Sequence, residues 1–321
     1  STALLVSALQ TAGGQVGPYI PNRVDEGYGL NLEAIERIAQ QAGLMITVDC
    51  GIRAVAEVQR ARELGLDVIV TDHHSVGAVL PPALAVINPR RADCPSRFER
   101  LAGVGVAYRL AQAVLRAIAQ QKWGALSADA ASELEIELLD LVAIGTVADM
   151  LPLEMENRSL VQRGLAQLNQ TNRPGLELLM QKAGVGKGGA DAAAISFRMA
   201  PRINAAGRMD APQDALAVLL AESRQSACER AAQLDDYNRR RQKLEQQMFN
   251  EAMALLEKDF DVDTEPVIVV GSRDWHPGVV GIVAARLKEA TGRPAVVIGL
   301  DDGIGKGSGR SIRGVDLGHA V

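Results

Sequence analysis

The chain has 321 residues, 47% hydrophobic and 23% charged, with a net charge of −5, enough for about two domains that each bury a core. No apolar run reaches the roughly 18 residues of a membrane-spanning helix, and the N-terminal "STALLVSALQ" lacks the basic segment and cleavage site of a secretory signal. The acidic balance and 3% aromatic content exclude a wholly basic nucleic-acid coat and widespread base stacking; a local basic track remains open, because counterion release depends on charges at the contact.

In chain order, "NLEAIERIAQQAG" has helical apolar spacing and "LMITVDCG" follows as a short buried strand. "IRAVAEVQRARELG" predicts a second helix, "LDVIVTDHH" a second strand and "LAVINP" a third. Strand–helix–strand at this spacing predicts right-handed crossovers and a parallel sheet. Residues 101–221 read as mainly helical; "AGVGVAYRLAQAVLRAIAQQ" opens on a Gly-rich turn, and "ELEIELLDLVAIGTVADMLPL" predicts one apolar helix ending near Asp149. Residues 222–258 contain no Gly or Pro and predict a long exposed helix between two domains. From residue 265, "EPVIVVGS", "GVVGIVAARLKEATG" and "PAVVIGL" restart a strand–helix–strand pattern. Cys50, Cys94 and Cys228 form neither a disulfide framework nor a CxxC motif, which predicts a reducing, cytoplasmic setting.

The chemistry concentrates at "TDHHSVG". Two of the four histidines stand side by side after Asp72, where a buried strand runs out. Such a pair in a loop is ordinarily a solvated turn. Here Asp49 ends the preceding strand, and ligands gather at the carboxyl ends of parallel strands. Asp149 ends an apolar helix, where the helix dipole disfavours a carboxylate and calls for a positive partner. Carboxylate and imidazole together suit a divalent ion such as Mn²⁺. Cys50 is expected to point to the opposite face of its strand.

"VDCG", "TDHH" and "GTVADMLPL", in this order, resemble the DHH phosphoesterase superfamily. Within it, "YIPNRVDEGYGLN", "AGVGVAYRLAQ", "RINAAGRMD", "WHPGVVGIVAARL" and "GSGRSI" look like the RecJ single-strand-specific exonucleases. The resemblance implies an α/β fold with a parallel-sheet DHH catalytic domain over 1–221, a connecting helix over 222–260 and a smaller α/β DHH-associated domain over 261–321. It implies hydrolysis of phosphodiester bonds in single-stranded DNA from the 5′ end, in recombination and repair, with two Mn²⁺ or Mg²⁺ ions. Asp49, His73 and Asp149 match metal ligands, while Asp72 and His74 match the pair that orients the site and contacts the scissile phosphate. A monomer is expected, with a single-strand-binding protein and a RecQ-type helicase as partners and no membrane association. The D-x-D-G turn that precedes "STALLV" in the family, the Gly-Gly-His-Ala motif and the oligonucleotide-binding fold lie outside this sequence. It is therefore expected to behave as a weakly active or inactive fragment.

Two segments are candidates for gripping nucleic acid. "RINAAGRMD" places Arg202, Asn204 and Arg208 around an expected small-residue turn, and paired guanidinium groups can hold phosphates in bidentate fashion. "WHPG" puts His276 at an expected helix start, with Pro277 at its first position. The resemblance adds Ser308, Gly309, Arg310 and Ser311 in "GSGRS", which alone reads as a flexible Gly/Ser loop. Arg23 and Tyr28 belong to a loop that the resemblance puts near the cleft, with Asn31 as a helix cap. "NRRRQK" at 238–243 is expected to be the solvated face of the long helix. Two other readings fit the same residues: a phosphodiesterase of short oligonucleotides or nucleotide phosphates, and a non-catalytic adaptor of a replication complex.

Overall fold

In the computed structural model, residues 1–22, 26–27, 29–121, 126–209, 211–259, 265–301 and 303–320 are described; Arg23 and Tyr28 lie outside them. Three parallel strands, β1 (Leu44–Val48), β2 (Asp67–Thr71) and β3 (Ala85–Ile87), form a sheet in that order. Register runs from Leu44↔Asp67 to Val48↔Thr71 and from Ile69↔Ala85 to Thr71↔Ile87. The ladder continues one step past the strands: Asp49 N–H donates to Thr71 O at 2.9 Å, and Asp72 N–H to Ile87 O at 3.0 Å. All three strands therefore deliver their next residues to one edge.

Side-chain alternation divides the sheet between two cores. Helices α1 (Thr2–Thr11), α2 (Leu32–Ala39) and α3 (Val55–Glu63) accompany the strands. Ile35 of α2 and Val58 and Ala61 of α3 pack on Met45, Val68 and Val70. Asn31 caps α2, its Oδ1 accepting from Ala34 N–H at 2.8 Å. The opposite face, with Ile46, Val48 and Ile87, packs on a larger helical core. That core is built around α4 (Gly103–Gln121), α5 (Ala128–Glu137), α6 (Leu139–Ala148), α7 (Met155–Leu168) and α8 (Pro174–Lys182). The apolar stretch expected as one helix is two, α5 and α6, meeting at Leu138. Eight of the nine residues Leu139–Val147, all but Gly145, are buried in α6, so it is buried all round, as a central helix must be.

The expected turn at "RINAAGRMD" is instead helical. A short α9 (Ala192–Ala194), a π-helical turn at Ile195–Met199 and α10 (Ala200–Arg208) run on continuously. Pro201 lies just past the π-helical turn, whose Ala200 N–H bonds Ile195 O, and Ala205 and Ala206 are wholly buried. Small residues there permit close helix packing rather than a change of direction. Helix α11 (Pro212–Leu219) leads to α12 (Arg224–Asp259), 36 residues long.

Both cores use α12. Ala227, Ala231 and Leu234 are buried near its start, and Met248, Ala252 and Leu256 near its end belong to the core of a second sheet. That sheet pairs β4 (Ile268–Ser272) parallel with β5 (Ala295–Asp301), and β5 antiparallel with β6 (Ile304–Arg310). Helix α13 (Val280–Thr291) covers it, and α14 (Leu317–Ala320) follows β6. The expected Gly/Ser loop is thus strand β6. A Cβ at Gly305 or Gly307 would meet the Ile298 side chain at 3.1 Å; pairing with β5 here overrides the weak strand preference of glycine. Among the described residues no helix is long and apolar enough to cross a membrane.

Asn157, wholly buried, ties the segment after α6 to the entry of α4. Its Nδ2 donates to Arg100 O at 2.7 Å and Pro152 O at 3.2 Å, and its Oδ1 accepts from Ala102 N–H at 3.4 Å. Asn157→Ala leaves these backbone groups without partners and is expected to destabilise the fold by at least about 2 kcal/mol, measured as a lowered midpoint in thermal denaturation.

Candidate metal centre and nucleic-acid interface

Past β1 the chain turns sharply. Asp49 adopts φ 67° and Gly51 φ 103°, the left-handed region that a non-glycine residue enters at a cost. Thr47 Oγ1 donates to Cys50 O at 2.8 Å and holds the turn. The carboxylate of Asp49 is then pressed against the start of α4, where a Cβ on Gly103 would stand 2.3 Å from its Oδ1. Glycine at 103 is what makes room for it. Burial, followed by the charge of Asp72, pushes the Cys50 thiol up to about 11, so it does not offer a thiolate near neutral pH.

Past β2, Asp72 is 1% exposed. Its Oδ2 accepts from Ile52 N–H at 3.0 Å; its Oδ1 accepts from His73 N–H at 2.7 Å and His74 N–H at 3.1 Å, and meets His74 Nδ1 at 2.7 Å. Burial pushes this carboxyl up, but the amides of Ile52, His74 and His73 and the His74 ring outweigh burial and hold it below the usual range. The carboxylate of Asp72 is therefore fully engaged in orienting the two histidines. With Asp72 ionised, His74 Nδ1 carries the proton, and its ring is 60% exposed.

His73 faces the other way. Its Nε2 lies 3.0 Å from Asp49 Oδ1 and 3.5 Å from Asp149 Oδ2. Burial pulls its imidazole down, but Asp49, Asp149 and Asp72 outweigh that and raise it above the ordinary histidine value. Asp149 is the C-cap of α6, its N–H on Gly145 O; burial pushes its carboxyl up, opposed by His73 and reinforced by Asp49. His73 Nε2 thus stands 3.5 Å from the carboxylate for which a positive partner was expected.

His73 Nε2 and Asp49 Oδ1 are close but not aligned as a hydrogen bond, and both are buried atoms without a hydrogen-bond partner. Ligating atoms of Asp49, His73 and His74 lie within 4.8 Å of one another, so the geometric cluster includes His74 beside the expected Asp49 and His73. An imidazole nitrogen and a carboxylate oxygen, buried and lacking partners, with a second carboxylate at 3.5 Å, fit a divalent cation.

A cavity of about 380 Å³ adjoins this cluster, lined among others by Asp49, Gly103, Asp149, Asn204 and Arg208. Arg202 is turned elsewhere. Its Nε bonds Asp235 Oδ1 of α12 at 2.9 Å and its Nη1 donates to Arg198 O at 2.6 Å, so the expected convergence of Arg202 with Arg208 on one phosphate is replaced by an ion pair that anchors α10 to α12. Arg208 Nη1 donates to Gly278 O at 3.0 Å, linking the first half of the molecule to the second. His276, Pro277 and Gly278 form a turn ahead of α13, which begins at Val280, so Pro277 is not its first residue. Gly278 N–H donates to His276 Nδ1 at 3.1 Å.

The 308–311 segment is divided by strand alternation. A Cβ on Gly281, in the first turn of α13, would approach Ser308 Oγ at 3.0 Å and Arg310 Nη2 at 3.1 Å, whereas Gly309 meets Leu317 and Val296. Gly309 and Ser311 line a separate cavity of about 970 Å³, and Ser311 Oγ donates to Val315 O at 2.6 Å. Ser308 and Arg310 thus lie on the α13 side, with Gly309 on the other. In the "NRRRQK" run, Arg239 and Arg240 are exposed, whereas Arg241 is nearly buried against Glu245. The sequence pattern of "AGVG" does not by itself reveal the positional role of Gly103, which comes from the approach of Asp49. Sequence reasoning also missed Asn88, whose Nδ2 donates to His74 O at 3.0 Å.

Residues 1–146 match the DHH family, N-terminal domain, and residues 264–321 match the DHHA1 domain. The chain is 44% identical over 320 residues to the single-stranded-DNA-specific exonuclease RecJ of Bacillus subtilis, covering 99% of this chain and 38% of that protein. It is 42% identical to RecJ of Escherichia coli, covering 100% of this chain and 56% of the relative. The chain thus spans about two-fifths to just over half of the length of these curated relatives. A crystal structure of exonuclease RecJ bound to manganese superposes with a TM-score of 0.82 at 36% identity, over 99% of this chain and 76% of that one. RecJ from Thermus thermophilus in complex with Mn²⁺ superposes with a TM-score of 0.79 at 34% identity, over 98% and 43%. With both domains matched and this likeness running the length of the molecule, the chain belongs to the RecJ family of DHH proteins.

Proposed function

We propose that this chain is the catalytic region of a divalent-metal-dependent exonuclease that hydrolyses phosphodiester bonds of single-stranded DNA, in the 5′-to-3′ direction, in recombination and repair. The observation that carries the reading is the meeting of Asp49 Oδ1, His73 Nε2 and Asp149 Oδ2, with Nε2 3.0 and 3.5 Å from the two carboxylates and two of the three atoms buried without hydrogen-bond partners. Its relatives of the same family are named as single-stranded-DNA-specific exonucleases, and solved members hold Mn²⁺ or Mg²⁺. In this reading residues 1–221 form the catalytic domain, 222–260 the connecting helix and 261–321 the substrate-binding domain.

Asp49, His73 and Asp149 would hold Mn²⁺ or Mg²⁺. Such an ion supplies water activation and charge neutralisation at the reacting phosphate. Asp72 keeps the His73–His74 backbone in place and orients the His74 ring through Nδ1, leaving Nε2 to face the reacting phosphate. Arg208, beside the same cavity, and His276, Ser308 and Arg310 of the second half would hold the strand through its phosphates, contacts that carry no base sequence information. A monomer in the cytoplasm, working with a single-strand-binding protein and a RecQ-type helicase, completes the reading.

Calorimetric titration of the 321-residue chain with Mn²⁺ tests the centre. Saturable binding is expected, abolished in Asp49→Ala and His73→Ala, and weakened about 10–100-fold in Asp72→Asn, which acts through the histidines and the turn after β1 rather than on the ion. Absence of Mn²⁺ binding by a folded wild-type chain sinks the assignment. Gly103→Ala is expected to displace the Asp49 carboxylate and reduce Mn²⁺ affinity at least about tenfold, because side-chain crowding below 3 Å must be relieved by movement of one partner; the same titration reads it. Nucleotide release should favour a long single strand over duplex and over a dinucleotide. Preference for the dinucleotide would instead favour a phosphodiesterase of short substrates.

A further inference from the structure

The edge of the first sheet carries a second group of side chains beside the metal cluster. Each of its three strands contributes one member. Arg53 lies in the turn after β1, closed by Ala54 N–H on Gly51 O at 3.0 Å. Ser75 follows the twin histidines after β2. Arg90 follows β3, its N–H on Asn88 Oδ1 at 2.8 Å. The two guanidinium groups converge on the serine: Arg53 Nε donates to Ser75 O at 2.9 Å, and Arg90 Nη1 donates to Ser75 Oγ at 3.1 Å. All three residues are exposed.

The group is held from beneath. Asn88, 3% exposed, fixes the carbonyl of His74 through Nδ2 and the amide of Arg90 through Oδ1. Gly77 lies beside the stem of Arg53, whose Cγ would be in ordinary van der Waals contact, 3.7 Å, with a Cβ there. Among the described residues, neither Arg53 nor Arg90 lies within ion-pair distance of a carboxylate, in a chain whose net charge is −5. Each contacts only a neutral acceptor here, and a guanidinium has five N–H donors. Two cations with donors to spare, on a scaffold of strand ends, make an anion site. Its position one residue from His74 selects the anion: a phosphate of a strand that already has another phosphate at the metal cluster.

We propose that Arg53, Arg90 and Ser75 form a phosphate-binding subsite beside the twin imidazoles, which holds a backbone phosphodiester of the bound single strand adjoining the reacting one. This rests on the nuclease reading above and adds to it a contact surface on the DHH domain itself.

The test is fluorescence anisotropy of a labelled single-stranded oligodeoxynucleotide with the 321-residue chain in EDTA, from 50 to 200 mM salt. Arg53→Gln/Arg90→Gln is expected to lower affinity about tenfold and to flatten the slope of log K against log salt by about 0.7, one phosphate contact on a single strand. Its thermal midpoint should match wild type. Arg53→Lys/Arg90→Lys should restore the slope but only part of the affinity, since lysine keeps the charge and loses the planar fork. Equal losses on oligonucleotides with and without a terminal phosphate support a backbone contact. Loss confined to the terminally phosphorylated strand overturns it, as do unchanged affinity and slope in the glutamine variant. If the wild type binds no single strand, the subsite falls, whereas failure of the Mn²⁺ titration strikes only the metal centre, so the two readings are separately exposed.

Discussion

One buried carboxylate organises the working edge of the first sheet. Asp72 takes the amides of Ile52, His73 and His74 and the ring of His74. A carboxylate removed from water is costly unless hydrogen bonds replace its solvation, and here the amides and the ring outweigh burial and hold its carboxyl below the usual range. The bond to Ile52 fastens the turn after β1, which carries Asp49, to the turn after β2, which carries both histidines. Without that clamp the two halves of the candidate metal centre would be tied less firmly, by the sheet ladder and the exposed Arg53 Nε–Ser75 O bond.

Around the clamp, the fold concentrates features that would be unfavourable elsewhere. Asp49 sits at positive φ with a carboxylate against the helix start at Gly103, and Asp149 places a negative charge at the carboxyl end of α6. His73 lies between the two acids, and the three together leave buried polar atoms without hydrogen-bond partners. Strain and unsatisfied polar groups of this kind persist only when surrounding packing over-determines them. That packing is supplied by α4 and α6, which meet closely because Gly145 lies against Val104.

The second half of the molecule is joined to this edge in two ways. Helix α12 belongs to both cores, and Arg208 reaches from α10 to the carbonyl of Gly278. A Cβ at Gly278 would stand 2.3 Å from the Arg208 carbonyl, so the approach of the two halves depends on a missing side chain. Arg202 contributes to the same rigidity through Asp235. An arginine in a motif read for phosphate binding thus serves as an anchor, because a nearly buried aspartate on α12 is a nearer counter-charge than any solvent-borne phosphate.

Periodicity and spacing in the sequence were enough for the parallel strands, the helical middle and the long helix, and for placing Asp49 and Asp72 at neighbouring strand ends, since these follow from local alternation; the grouping of Asp49, His73 and Asp149 as ligands was implied by the resemblance to the DHH proteins. The strand identity of the glycine-rich 304–310 segment was not legible, because it comes from pairing with β5 rather than from its own preferences. Nor was the division of Ser308 and Arg310 from Gly309, which is a consequence of that pairing. The helix at 200–208 was hidden for a related reason: small residues are compatible with a turn and with close packing, and only the neighbouring α12 distinguishes them. Arg53, Ser75 and Arg90 are distant in the sequence and meet only because three parallel strands end side by side. Residue types and their order therefore determined which chemistry the chain could carry; which side chains share a surface was decided by tertiary contacts, since distance in space is set by packing and not by separation along the chain.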